Sequence, residues 1–218
     1  MYRIICPLIL LLSFSLNAQY NSLGFGAGTS FFRGETTATG AILEEPGINL
    51  YGYYTYWLPA DERFQITGML DLDFNRPQIA SSADGSQVYE AYTLLISPLF
   101  GMRFYWDRWL LDYVPEKNQS ALFFGLYLGP AIYIHDYQSA TANTKDNIHY
   151  TDGLGISFNS SAEIGYRIFR NSHWSYEIST GFKYGFNDAW DGLKGNTAVN
   201  DWLFHVKLGM SYSFYQWQ

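Results

Sequence analysis

Cysteine is almost missing from this sequence. The 218 residues hold one, Cys6, so no disulfide can brace the fold and no thiol is on hand for catalysis in the body of the chain. Long apolar runs are missing too. After the first residues, no stretch offers the twenty or so apolar residues that a membrane-spanning helix needs. Basic charge is scarce: 13 Lys and Arg face 20 Asp and Glu, a net charge of −7. A nucleic-acid partner wants a basic face, so that class is excluded. No segment within the strand-like regions described below repeats with helical period.

Aromatic residues are abundant. They make up 19% of the chain, with 19 Tyr, 16 Phe and 7 Trp. Soluble domains rarely need so many, whereas proteins that meet lipid headgroups do. The N-terminus, MYRIICPLILLLSFSLNAQ, has a positive residue (Arg3), an apolar core over 4–16 and a small-residue end at Ala18. It reads as a secretory signal over residues 1–18, leaving 19–218 as one domain. Cys6 lies inside that signal rather than at its cleavage point, so no lipid anchor is expected.

Period-two alternation organises the rest. In HWSYEISTGFKYGFN, Trp174, Tyr176, Ile178, Thr180, Phe182, Tyr184 and Phe186 alternate with Ser175, Glu177, Ser179, Gly181, Lys183 and Gly185. Two unlike faces on one extended run are the mark of a strand between two unlike media. RFQITGMLDLDFN sets Phe64, Ile66, Leu70, Leu72 and Phe74 against Gln65, Thr67, Asp71 and Asp73. DWLFHVKLGMSYSF sets Trp202, Phe204, Val206 and Leu208 against His205 and Lys207. LGFGAGTSFF sets Leu23, Phe25 and Ala27 against Gly24, Gly26 and Gly28. Eight strands follow, at roughly 23–33, 47–58, 63–74, 88–105, 120–135, 156–169, 173–187 and 199–214. In the second and fourth, the tyrosines fit either face.

The connections alternate as well. Those at 34–46, 75–87, 136–155 and 188–198 are long and polar, while 59–62 and 170–172 are tight. Long loops at one end and short turns at the other are the habit of outer-membrane barrels. Trp57, Trp106, Trp109, Trp174 and Trp217 fall at short-turn ends, and Trp190 and Trp202 at the other, as expected for interface belts. The expected fold is all-β, an eight-stranded antiparallel transmembrane (outer-membrane) β-barrel with lipid on its greasy face and both termini periplasmic. A soluble binding barrel would reverse the faces and crowd its interior with aromatics.

Such a barrel has little interior space. The inward set contains Arg63, Asp71, Asp73, Arg103, Glu163, Arg167, Glu177, Lys183, His205 and Lys207. Isolated buried charges are very costly, so these must pair. A salt-bridged plug is the leading expectation, and a proton or ion path the other reading. Catalytic arrangements are weak. His173, Ser175 and Glu177 are the residue types of a hydrolase triad, but they sit beside a tight turn. His135, Asp136 and His149 match no defensible metal spacing and read as surface loop residues. GFGAG has no following helix, so it is no dinucleotide fingerprint; its alternate glycines make room for bulky neighbours. No cofactor, no metal and no enzymatic activity are expected.

Two segments resemble a known family. LGFGAGTSFFRGE, with Phe31, Phe32, Gly34 and Glu35, is similar to the first strand of PorG-like outer-membrane proteins of the Bacteroidota. FNDAWDGLKGNTAVNDWLFHVKLGMSYSF, with Gly195, Asn196, Asn200, Asp201, Trp202 and Phe214, resembles that family's last loop and strand, departing from it around Trp190. The resemblance implies a non-catalytic accessory of the type IX secretion or gliding machinery, associated with a periplasmic ring-forming lipoprotein and further secretion subunits. The alternative is a small barrel that stabilises the envelope or displays adhesive loops. One connection on the termini side, 106–119, carries surplus apolar material: Trp106, Trp109, Leu110, Leu111 and Tyr113. It reads either as an interfacial anchor in outer-membrane lipid or as a partner-binding segment with aromatic anchors.

A closed ladder of backbone hydrogen bonds resists detergent. The purified protein is therefore expected to be β-rich and to migrate faster unboiled than boiled on a gel. A soluble monomer that needs no detergent would end the membrane reading.

Overall fold

The structure, a computed structural model, describes residues 21–33, 46–58, 63–75, 78–80, 88–106, 120–139, 149–150, 153–170, 173–186, 190, 193–194 and 201–214. The expected signal at 1–18 lies outside these, as do most of the long connections. Eight long strands carry the fold: β1 (Asn21–Arg33), β2 (Gly47–Trp57), β3 (Phe64–Asn75), β4 (Val88–Tyr105), β5 (Ser120–Ser139), β6 (Gly153–Phe169), β7 (Trp174–Gly185) and β8 (Trp202–Ser213). Each pairs antiparallel with its sequence neighbours, and β8 pairs with β1 to close the ring.

The stagger can be read around the ring. Starting at Ser22, successive partners are Thr55, Thr67, Gly101, Tyr127, Ser161, Lys183, Leu203 and Phe32. The circuit returns to β1 ten residues further along, so the shear is 10 (Ser22 to Phe32). With strands about 4.8 Å apart and residues about 3.4 Å along, that stagger tilts the strands by about 40°. Such a tilt lets about ten residues cross the hydrocarbon.

The faces sort as the alternation predicts. Leu23, Phe25, Leu70, Phe100, Leu126, Ile156, Ile178 and Leu208 point outward and are exposed. Asp71, Asp73, Arg103, Glu163, Arg167, Glu177, Lys183, His205 and Lys207 point inward and are buried. A surface this apolar is stable only against lipid. Arg63 differs from the rest of the inward set: it occupies the turn before β3 and is half-buried. The undecided tyrosines are sorted by register. Tyr51 and Tyr53 face in, Tyr54 faces out and Tyr105 faces in. Room for them comes from β1. A Cβ on Gly24 would meet the Tyr53 ring at 2.2 Å, and one on Gly26 the Tyr51 ring at 2.6 Å.

Three short pieces were not anticipated. Gln78–Ala80 pairs with the start of β4, and His149–Tyr150 pairs with Leu193–Lys194, joining two long connections. β5 runs to Ser139, four residues beyond the expected end, because β4 and β5 continue their ladder from His135 to Ser139. His135 is therefore no surface loop residue. It faces inward, 4% exposed, with its Nδ1 3.0 Å from Thr93 Oγ1.

The outward face generates a test. Leu70→Arg places a cation on the lipid face near mid-strand and should cost about 2–4 kcal/mol. Leu70→Met should cost less than about 1.5 kcal/mol. Urea-dependent folding into phospholipid vesicles measures both, and equal behaviour of the two variants would remove hydrocarbon from this face.

Candidate functional site: the filled lumen

The interior is built in three layers. Near the termini, Trp57, Tyr105, Ala121, Phe123 and Phe169 form an apolar floor. Trp57 does not join an interface belt: it is 3% exposed and packs on Tyr105, ring centroids 4.7 Å apart. Its place in the odd-numbered set of β2, with Tyr51 and Tyr53, turns it inward. At the opposite end Phe32, Leu95, Ala131, Trp190 and Leu203 form an apolar cap. Trp190 was expected at the lipid interface as well, and it too is fully buried. Its backbone N–H donates to Asp201 Oδ2 at 2.6 Å and its indole N–H to Ser157 Oγ at 2.8 Å. Gly185 makes the space, since a Cβ there would meet the indole at 2.8 Å.

Between floor and cap lie the ions. Arg103 is the hub of one group. Its guanidinium meets Glu163 Oε1 and Glu177 Oε2, each at 3.0 Å, and its Nε donates to Tyr127 Oη at 2.7 Å. Tyr53 donates to Glu177 at 2.8 Å, and Tyr127 donates to Glu163. The rings of Tyr53 and Phe123 face the guanidinium from 4.5 and 4.6 Å, a favourable placement for a delocalised cation. The second group centres on Asp71 and Asp73. Lys207 donates to Asp71 at 2.7 Å and Lys183 to Asp73 at 2.5 Å, while Asn49 donates to both carboxylates. Arg167 stands apart and gives its hydrogen bonds to hydroxyls: Ser175 at 2.8 Å, Ser211 at 2.5 Å and Tyr105 at 3.1 Å.

In this layer Asp71, Asp73, Glu163 and Glu177 thus balance Arg103, Arg167, Lys183 and Lys207, four charges of each sign, while a fifth buried carboxylate, Asp201, lies at the cap and accepts from the Trp190 backbone N–H. Every one of them is held by named partners in a low-dielectric interior, where an unmatched charge would be costly. The arrangement is a hydrogen-bonded plug. Its geometry holds these eight charges in place.

The other sequence candidates fare as follows. Ser175 and Glu177 face the lumen and are bound to Arg167 and Arg103, whereas the His173 ring stacks on Tyr212 at 5.3 Å. The three do not converge. Among the described residues no group of three or more His, Cys, Asp or Glu could hold a metal. Trp106 follows β4 directly, half exposed, edge-on to Phe104 at 6.1 Å. Trp109, Leu110, Leu111 and Tyr113 lie outside the described residues, so the structure brings together only the first member of that segment. Sequence reasoning missed the roles of Tyr51, Tyr53, Tyr105 and Trp190. The alternate glycines of β1 were the one signal that large rings lie opposite.

No protein-family model matches the sequence, and no curated protein matches it. Solved structures do match. Ail, the attachment invasion locus protein of Yersinia pestis, solved with a heparin analogue, shares 13% identity over 89% of this chain and 98% of its own, with a TM-score of 0.50. The chain is an eight-stranded outer-membrane β-barrel. OprG of Pseudomonas aeruginosa (10% identity, 90% and 97% covered, TM-score 0.49) and neisserial surface protein A (8%, 88% and 96%, 0.48) are also similar. At these identities the likeness concerns fold.

Removing the hub cation leaves Glu163 and Glu177 buried and facing each other. Arg103→Met is expected to destabilise the barrel by about 3–5 kcal/mol. The triple variant Arg103→Met, Glu163→Gln, Glu177→Gln should recover part of that loss, because it removes the stranded charges. Urea unfolding followed by tryptophan fluorescence in micelles reads both, and a triple variant worse than the single one would contradict the pairing account.

Proposed function

We propose that this barrel is a non-enzymatic envelope protein that serves as a rigid anchor for what it carries at its two ends. The observation behind this reading is the filled lumen. Two apolar layers and a charge-balanced ionic layer leave the interior with structural work rather than transport or chemistry. Long connections at one end and short ones at the other suit a platform that displays loops while its termini stay on the periplasmic side. An envelope-stabilising or surface-display role is the reading that the fold likeness favours.

A second reading has its own support. Trp106 is exposed at the start of the one surplus connection on the termini side, and the end segments resemble the PorG-like proteins. On that reading Trp106, Trp109, Leu110, Leu111 and Tyr113 dock a periplasmic lipoprotein of the type IX secretion machinery, and the barrel acts as its outer-membrane scaffold. One experiment separates the two. Residues 107–118 are replaced by an Asn-Gly turn, and the variant is assayed for heat-modifiability, for co-purifying periplasmic protein and for envelope integrity against detergent. The anchor role expects a folded variant with an intact envelope and no lost partner. The secretion scaffold expects a folded variant that has lost a co-purifying lipoprotein.

A further inference from the structure

The wall between β4 and β5 is interrupted. Its ladder runs from Tyr89↔Ser139 to Ile96↔Ile132 and resumes only at Phe100↔Leu128. The register is unchanged across the break, so Pro98 stands opposite Pro130. Antiparallel partners alternate between pairs that exchange both hydrogen bonds and pairs that exchange none. Two prolines in an exchanging position have no N–H to give, and the bridges at that pair and at its two neighbours vanish together. That is the gap observed, 97–99 against 129–131. The outer edges are intact, with Leu70↔Pro98 and Pro130↔Phe158 still paired.

The carbonyls confirm the geometry. A Cβ on Gly129 would lie 2.0 Å from the Pro98 oxygen, just as one on Gly101 would lie 1.9 Å from the Leu126 oxygen in the intact ladder. The Pro98 oxygen therefore occupies its ladder position, facing a nitrogen without a hydrogen. By the symmetry of the pair the Pro130 oxygen faces Pro98 in the same way. Hydrocarbon offers neither of them a donor.

On the inner side the wall is lined by Ser97, Leu99, Gly129 and Ala131. Asn159 of β6 reaches across Gly129 and donates from Nδ2 to Ser97 Oγ at 2.9 Å. This single side-chain bond clasps the seam from within. The other amide atom, Asn159 Oδ1, is buried and has no partner among the described residues. The two prolyl carbonyls thus lack ladder donors across one window of the ladder, about 10 Å long for three residues of strand. The nearby ammonium of Lys183 is already held by Asp73 at 2.5 Å and Asp71 at 3.2 Å, so the window has no net charge to offer.

We propose that the Pro98–Pro130 seam is a binding site in the barrel wall for the uncharged, hydrogen-bond-donating head of a single-chain amphiphile. The head donates to the prolyl carbonyls. The alkyl tail lies on the lipid face along Ile96, Phe100, Leu128 and Ile132. The site is independent of the anchor and scaffold readings, since it lies at mid-wall and involves neither end.

The probes are a long-chain 1-alkanol carrying a diazirine and the matching alkane without the hydroxyl, each added to the full-length protein in phospholipid nanodiscs. Cross-linked positions are mapped by mass spectrometry. The alkanol is expected to label residues 94–102 and 126–134 several-fold above the other strands, and the alkane to label all lipid-facing strands evenly. Pro130→Val supplies an N–H to the Pro98 oxygen and should lower the seam labelling. Pro98→Val with Pro130→Val restores both ladder bonds and should bring it to the level of the other strands, with heat-modifiability retained. Even labelling by the alkanol, equal concentration of the alkane at the seam, or labelling unchanged in the folded double variant would overturn the site. The comparison of the two probes on the unaltered protein stands even if a variant fails to fold.

Discussion

Backbone hydrogen bonding in hydrocarbon is the constraint on which this structure depends. Lipid cannot hydrogen-bond an open strand edge, so a sheet that crosses it must close. Closure of eight strands with a shear of 10 fixes the bore of the barrel, and the bore fixes how much side chain fits inside. The contents then follow from geometry. Glycines on β1 stand where Tyr51 and Tyr53 must lie, and large rings close both ends of the interior. The same constraint makes the proline seam conspicuous, because it is a place within the described strands where the ladder leaves bonds unmade.

Charge in the interior is tolerated through pairing. Desolvating eight ions is costly, and replacing such pairs by well-packed apolar residues is often neutral or stabilising elsewhere. What the ions supply here is specificity of assembly. Arg103 on β4 can satisfy Glu163 on β6, Glu177 on β7 and Tyr127 on β5 only when those strands are in register. Lys207 on β8 and Lys183 on β7 reach Asp71 and Asp73 on β3 across the lumen. The ion pairs among them couple strands that share no ladder. A one-residue slip would turn each ion into lipid.

Two apolar layers enclose that ionic layer, and each depends on an aromatic that sequence position had assigned to the membrane interface. Trp57 and Trp190 show why strand-end position alone is a poor guide. A tryptophan at a strand end belongs to the belt only if its parity faces lipid, as with Trp174 and Trp202. Trp57 has the parity of the lumen. Trp190 lies beyond β7, where parity no longer applies, and its placement is settled by Asp201, Ser157 and Gly185.

The sequence by itself determined the strand count, the two faces, the closed antiparallel architecture and the identity of nearly all the buried charges. Period two is a local property, and lipid on one face makes it strict, so alternation survives without knowledge of the partners. Only the tertiary structure decided which charge meets which, where Tyr51, Tyr53 and Trp190 lie, and that His135 is buried inside rather than on a surface loop. Those outcomes depend on register and tilt. Register brings residues such as Lys207 and Asp71, 136 positions apart in the chain, within 2.7 Å. It also sets Pro98 opposite Pro130. Neither proline announces the other, because the opposition arises only once β4 and β5 are aligned and the ring is closed.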